Sequence, residues 1–426
     1  MISDRIEPRP GGVAVIGGGA AGFFAALTAA EALRDVARAK KQPPGITIFE
    51  ANRRPLNKVR ISGGGRCNLT HACFDARELV EHYPRGGRAL KSVFARFQPR
   101  DTIEWFRARG VETKTEADGR MFPISDDSAT IVECLLHGAK EAGIDLRLNC
   151  GVAAIQREPD EAFRLIFKDG TFEFFDRVLL AAGGSAQTFQ LAENLGHRIV
   201  SAVPSIFTFA INDARIKNLP GLAVENAEVR LPSFGLSACG PLLITHWGLS
   251  GPAILRLSAF GARELFAHDY QAELRVNWRA GENENTIRAA LLEIKKRHGA
   301  RLVAGESGGL LPSRLWRSLC LAAGVSDGTW AQLPGPILHR LVQEIAAGDY
   351  RITGKGVFKD EFVTAGGVEL SEVDFRTMQS RIVPGLFFAG EILDIDGVTG
   401  GFNFQNAWST GWLAGRGLVD SVSARD

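Results

Sequence analysis

Cysteine is scarce in this chain. Six occur in 426 residues, too few and too scattered for a disulfide framework, and that usage fits a reduced, cytoplasmic setting. No group of Cys and His has zinc-ligand spacing, so no metal is expected. Net charge is nearly absent as well. Fifty Lys and Arg against 48 Asp and Glu leave +2, which gives no overall reason to expect nucleic acid or an acidic membrane. Long apolar runs are missing with one exception. Residues 13–30 carry no charge, near the length of a membrane span or signal core. Four glycines, Gly17, Gly18, Gly19 and Gly22, sit in that run, and no clean positive segment precedes it. Strand, glycine turn and helix is the better parse, and a soluble protein with no membrane partner is expected. There is no internal repeat and no low-complexity tract. A hydrophobic share of 45% with 23% charged residues excludes a disordered, collagen-like or coiled-coil chain. At roughly 150 residues per domain the length predicts two or three domains.

Glycine is what the chain has in quantity, 48 in all. The first cluster follows Val13-Ala14-Val15-Ile16, a run of β-formers suited to a strand buried on both faces. Gly17, Gly19 and Gly22 then match G-x-G-x-x-G, an alanine-rich helix is predicted over 21–39, and residues 45–50 read as a second strand ending in Glu50. Gly17 allows the sharp turn, Gly19 lets the backbone reach a pyrophosphate, and Gly22 lets the helix pack on the strand. The helix start supplies N–H donors and positive partial charge, and Glu50 suits a ribose. The acid lies 50 − 22 = 28 residues past the last glycine, against about 20 in the usual fingerprint. A charged helix end and the loop at 40–44 absorb the excess. An acid fits NAD or FAD equally, so the fingerprint alone leaves the cofactor open.

Further signals lie along the chain. Ser62-Gly63-Gly64-Gly65-Arg66-Cys67-Asn68 reads as a loop whose backbone closes on a flat or phosphorylated ligand, with Lys58 nearby. Residues 177–185 form a buried strand ending in Ala182, Gly183 and Gly184, and residues 385–391 form another ending in Gly390 and Glu391. That segment runs on through Asp394, Asp396 and Gly400-Gly401-Phe402-Asn403 into a helix predicted over 405–416. No second G-x-G-x-x-G unit is present for a nicotinamide nucleotide.

This order resembles the BaiN-like family of NAD(P)/FAD-dependent oxidoreductases, within the two-dinucleotide-binding flavoproteins. The resemblance rests on Lys58 with 62–68, Gly119-Arg-Met-Phe-Pro123, 245–252, 364–368, and 388–391 through 396–401. It implies an α/β architecture: a discontinuous Rossmann-like FAD-binding domain with an inserted β-rich domain and a small helical part. The expected boundaries are 1–190 with 345–426 for the first and 191–344 for the insert. FAD is then held by Gly17, Gly19, Ala20, Ala21, Gly22, Glu50 and Ala51 of the opening unit. Lys58, Ser62, Gly64, Arg66, Cys67 and Asn68 follow in the second cluster, and Val152, Ala182, Gly183 and Gly184 in the middle. Gly390, Glu391, Asp396, Gly400, Gly401, Phe402 and Asn403 complete the set. A helix starting near Gly401 is expected to aim free N–H groups at the flavin edge that becomes negative on reduction.

Cys67 and Cys73 are spaced by five residues, unlike the pairs of flavin disulfide reductases, so Cys67 reads as a small loop residue. His246 reads as structural, with substrate positioning as the sharper alternative. The expected activity is two-electron transfer between FAD and a small organic substrate. The first reading is reduction of an activated C=C bond with NAD(P)H as a transient donor. An oxygen-using oxidase of an amine or alcohol, an RNA-modifying flavoprotein and a redox-sensing module are the alternatives. Residues 53–109 hold thirteen Lys or Arg against five Asp or Glu. Solvated helix faces are the preferred reading, ahead of an anion-attracting surface or RNA. The sequence leaves the catalytic acid and the oligomeric state open.

Overall fold

The computed structural model describes residues 12–37, 45–356 and 363–423, without the side chains of 35–37 and 421–423. The loop at 40–44, invoked above for the long spacing to Glu50, lies outside them. Contacts divide the chain into two units, Met1–Ala202 with Val363–Asp426, and Val203–Phe362.

The first unit is built on a seven-stranded sheet. Its order is Val373–Asp374, Gln379–Ser380, Leu386–Phe388, Arg177–Leu180, Val13–Ile16, Ile46–Phe49, Asp145–Arg147. The last five strands are parallel, with Val13 opposite both Arg177 and Ile46. All four residues of Val13–Ile16 are buried, as a continuous apolar run must be when helices cover both faces.

The opening helix Ala20–Ala37 packs on the closing helix Phe402–Ser423. Small residues make this contact close. A side chain on Gly411 would put its Cβ 2.8 Å from the Ala21 carbonyl oxygen, and one on Gly415 would lie 2.5 Å from the Ala25 oxygen. The closing helix begins three residues before the predicted start and runs on to Ser423. Gly417 likewise admits a neighbouring backbone: a Cβ there would sit 2.3 Å from the Thr377 oxygen.

The second unit carries its own seven-stranded sheet of antiparallel pairs. Helices Pro252–Phe260, Ala262–Ala267, Glu284–Arg297, Ser313–Ala322 and Gly335–Ala346 accompany it. Trp278, Trp316 and Trp330 are fully buried in its core. The boundaries differ from the expected ones. Residues 191–202 stay with the first unit, where His197 bonds Glu372 and Ser380. Residues 348–355 belong to the second, because Gly348–Ile352 pairs with Ala272–Asn277 and Gly354–Lys355 with Phe209–Ala210. Among the described residues no helix is long and apolar enough to cross a membrane.

Candidate cofactor site

The site gathers at the carboxyl ends of the parallel strands, where an open α/β sheet offers its crevice. Gly17 ends the first strand at φ +115°, and any Cβ there would lie 2.5 Å from the Ala181 oxygen. A Cβ on Gly22 would strike the Gly17 oxygen at 2.0 Å, so the opening helix rests directly on the turn. Gly19, in contrast, faces open space. That is the arrangement a diphosphate needs: a bare backbone and the helix start carrying Ala20 and Ala21.

Glu50 is buried at the end of the second strand. Its Oε2 accepts from the Gly18 amide at 3.0 Å, and its Oε1 accepts from the Asn52 amide at 2.8 Å and from Asn52 Nδ2 at 2.7 Å. Asn52 thus orients the acid and was not singled out in the sequence. Its only signal is a short amide side chain two residues after a strand-ending carboxylate. Ala51 is exposed beside it, and its Cβ lies 3.5 Å from where a Cβ on Gly151 would stand. Val152 is buried, with its carbonyl accepting from Gln187 Nε2 at 3.2 Å.

A second convergence involves residues far apart in sequence. Lys58 forms an ion pair with Glu391. Glu391 Oε1 also accepts from the Thr364 amide at 3.3 Å. Gly183 and Gly184, just past the middle strand and its exposed Ala182, stand against the same glutamate. Gly390 adopts φ +77°, donates to Thr410 Oγ1 at 2.9 Å, and a Cβ there would meet Ala21 Cβ at 2.9 Å.

The second glycine cluster is partly helical, not a simple loop. Asn57–Gly65 is interrupted by Ser62 in an extended conformation and by Gly63 and Gly64 in the left-handed region. Gly64 faces open space. Arg66 turns away to Glu116 at 2.7 Å and lies 4.0 Å over the Phe122 ring. Cys67 is buried at φ +61°, and burial pushes its thiol up to about 12. A thiol so protonated is no nucleophile or redox partner at neutral pH.

The closing turn is fastened by its own neighbours. Asn68 takes the amide orientation in which Nδ2 donates to the Thr70 oxygen and Oδ1 accepts from the Gly401 amide, both at 3.1 Å. The Gly401 N–H, expected to be free, is therefore occupied, and the donors left open are those of the helix's first turn, from Phe402 on. Gly401 has φ +96°, and a Cβ there would lie 2.5 Å from the Thr70 oxygen; a Cβ on Gly400 would meet the Phe402 ring at 3.0 Å. Asp396 is fully buried and paired with Arg85. Asn403 bonds both polar groups of Gly397 at 2.8 Å. Tyr83 donates to the Phe402 carbonyl at 2.7 Å, while the Phe402 ring contacts both His71 and His82, whose rings lie 5.8 Å from each other. Arg66, Asn68, Asp396 and Asn403 thus spend their side chains on holding loops.

His246 lies exposed in the second unit. Among the described residues no cluster of His, Cys, Asp and Glu could hold a metal.

The donor set fits FAD. The Gly17–Gly22 turn suits the diphosphate, Glu50 suits the adenosine ribose, and the Lys58–Glu391 pair and the start of the closing helix offer hydrogen-bonding groups to the rest. Relatives agree in extent along the chain. The ribosomal RNA dihydrouridine synthase of Escherichia coli (strain K12) is 28% identical over 96% of this chain and 98% of its own length. The 3-dehydro-bile acid delta(4,6)-reductase of Clostridium scindens is 27% identical over 96% and 99%. A solved 3-ketosteroid-delta4-(5alpha)-dehydrogenase from Rhodococcus jostii RHA1 aligns with a TM-score of 0.49 at 13% identity, covering 97% of this chain and 98% of that one. The HI0933-like protein Rossmann domain matches residues 12–417, and this FAD-dependent oxidoreductase belongs to that family.

Proposed function

We propose that the protein reduces a C=C bond conjugated with a carbonyl, using NAD(P)H to recharge its FAD. The observation carrying this reading is the convergence of Glu50, Lys58, Glu391 and the two helix starts at the carboxyl ends of one parallel sheet. Bound FAD supplies hydride chemistry, taking an electron pair with hydrogen from one partner and passing it to another. The chain's own groups bind and orient. The glycine turn takes the diphosphate, Glu50 accepts from the ribose hydroxyls, and the first-turn amides of the closing helix stabilise negative charge near them.

The names of the two relatives support this reaction class. A dihydrouridine is a uridine with two hydrogens added across a C=C bond beside a carbonyl. A delta(4,6)-reductase acting on a 3-oxo compound saturates the same conjugated unit. Saturating such a unit adds a hydride to the carbon distal to the carbonyl and a proton to the nearer one. The donor's oxidation balances the substrate's reduction.

Anaerobic stopped-flow mixing tests the reading. NADH or NADPH should bleach the yellow protein, and an α,β-unsaturated ketone or a uracil nucleoside should restore the colour with one equivalent saturated. Colour that returns only with oxygen, with peroxide as product, would replace the reductase with an oxidase.

A further inference from the structure

The closing helix carries a cluster of charge far from the cofactor site. Trp412 and Arg416 lie ten and fourteen residues beyond Phe402, about 15 and 21 Å along the axis at the α-helical rise. Three parts of the first unit meet there around a groove of about 550 Å³. The closing helix brings Trp412, Arg416 and Asp420 to it. The loop between helices Gly87–Phe94 and Pro99–Arg107 brings Arg96, and the turn between the antiparallel strands Val373–Asp374 and Gln379–Ser380 brings Arg376.

The charges in this groove are only partly answered. Arg376 is matched by Asp374 at 2.9 Å. Arg96 donates to the Arg376 carbonyl, a neutral partner that fixes the guanidinium and leaves its charge in place. Arg96 and Arg416 are exposed and form no ion pair with a described carboxylate. Asp420 stands one helical turn past Arg416, the spacing at which opposite charges commonly pair, yet it pairs with no described cation. The aromatic side is held in place. Trp412 is half-buried, stacks on Phe97 at 5.3 Å and lies 5.8 Å from the Arg416 guanidinium.

Each unanswered group has a matching chemistry. Guanidinium groups take phosphate oxygens, in a fork where the geometry allows. A carboxylate without a cation accepts from hydroxyls, the part an acid plays for a ribose. An indole fixed by a neighbouring ring and partly open offers a flat surface on which a base stacks. Inorganic phosphate or pyrophosphate would use the arginines alone and meet the Asp420 charge unfavourably. A nucleotide uses all three, and the groove has the size of a small-molecule pocket.

We propose that this groove is a second nucleotide site, which takes a nucleoside diphosphate with its base at Trp412, its ribose hydroxyls at Asp420 and its phosphates between Arg96 and Arg416. The ligand is other than the coenzyme, and the site does not rest on the reductase reading.

The test is calorimetric titration of ADP into the FAD-loaded protein, with adenosine and pyrophosphate titrated separately. ADP should bind with the flavin-to-protein ratio unchanged, and about tenfold or more tightly than either fragment. Trp412→Leu should weaken ADP about tenfold, the size of one base–aromatic stack. Arg96→Gln with Arg416→Gln should weaken ADP and pyrophosphate alike. Asp420→Asn should weaken ADP and leave pyrophosphate no weaker. All these variants should keep the wild-type flavin content. Trp412→Leu also removes the contact with Phe97, so the arginine and Asp420 variants, whose side chains are exposed, decide the matter if it fails to fold. Absence of ADP binding would overturn the proposal, as would ADP that displaces FAD, pyrophosphate that binds as tightly as ADP, or wild-type ADP affinity in the arginine double variant.

Discussion

Asn403 closes a ring with Gly397: its Nδ2 donates to the Gly397 carbonyl and its Oδ1 accepts from the Gly397 amide, each at 2.8 Å. One side chain satisfies both polar groups of a peptide unit at the entrance to the closing helix. Asn403→Leu removes both bonds. At about 1 kcal/mol net for each, the variant should lose about 2 kcal/mol of stability and hold less FAD. Denaturant titration and the flavin-to-protein absorbance ratio read the two effects.

Arg85 faces Asp396, whose side chain has no exposure to solvent. Arg85→Met leaves a buried carboxylate without its cation, which should cost about 3–5 kcal/mol. Pairing it with Asp396→Leu should recover much of that loss, since the cost comes from the stranded charge. Equal destabilisation of the single and double variants in chemical unfolding would contradict this account.

Ser380, His197 and Glu372 are connected like a hydrolase triad, with Ser380 Oγ 2.9 Å from His197 Nε2 and Glu372 Oε2 3.0 Å from Nδ1. Ser380 Oγ, however, already accepts from the amides of Ile382 and Val383 at 3.0 and 2.7 Å. No esterase activity is expected. Burial holds the His197 imidazole below its ordinary value, outweighing the opposite pull of Glu372. The unfolded chain then binds the extra proton first, so this histidine lowers stability as pH falls through about 6.5 towards its folded value. Above that window its contribution is constant. His197→Gln should flatten the melting temperature between pH 5 and 7, roughly the span where an ordinary histidine titrates.

Cys67 is buried with its thiol pushed up to about 12, whereas Cys239 is exposed. Iodoacetamide on the folded protein should label Cys239 and spare Cys67, as read by peptide mass spectrometry. Cys67→Ser should keep its flavin reduction rate, because a protonated buried thiol takes no part in electron transfer.

The opening unit was legible because its determinants are local. A four-residue apolar strand, a turn that tolerates no Cβ at Gly17 and a helix that tolerates none at Gly22 are written within ten residues. The roles of Asp396 and Asn68 were not legible. Asp396 depends on Arg85, 311 positions away, and Asn68 on Gly401 across a comparable stretch of chain. The run of the closing helix past 416 was not legible either, since it is held by tertiary contacts in which Gly415 and Gly417 admit the Ala25 and Thr377 backbones. Spacing within a segment shows what a backbone can do, and only tertiary contact shows which side chains remain available to a ligand.

The contact of Gly411 with Ala21 and of Gly415 with Ala25 has a consequence for how coenzyme is lost. The opening helix starts at the Gly17–Gly22 turn and the closing one at the Gly400–Gly401 turn. Packed backbone against backbone at Gly411 and Gly415, they cannot tilt independently. On the proposed reading, with the diphosphate at one helix start and the redox ring at the other, coenzyme release should be a single concerted event.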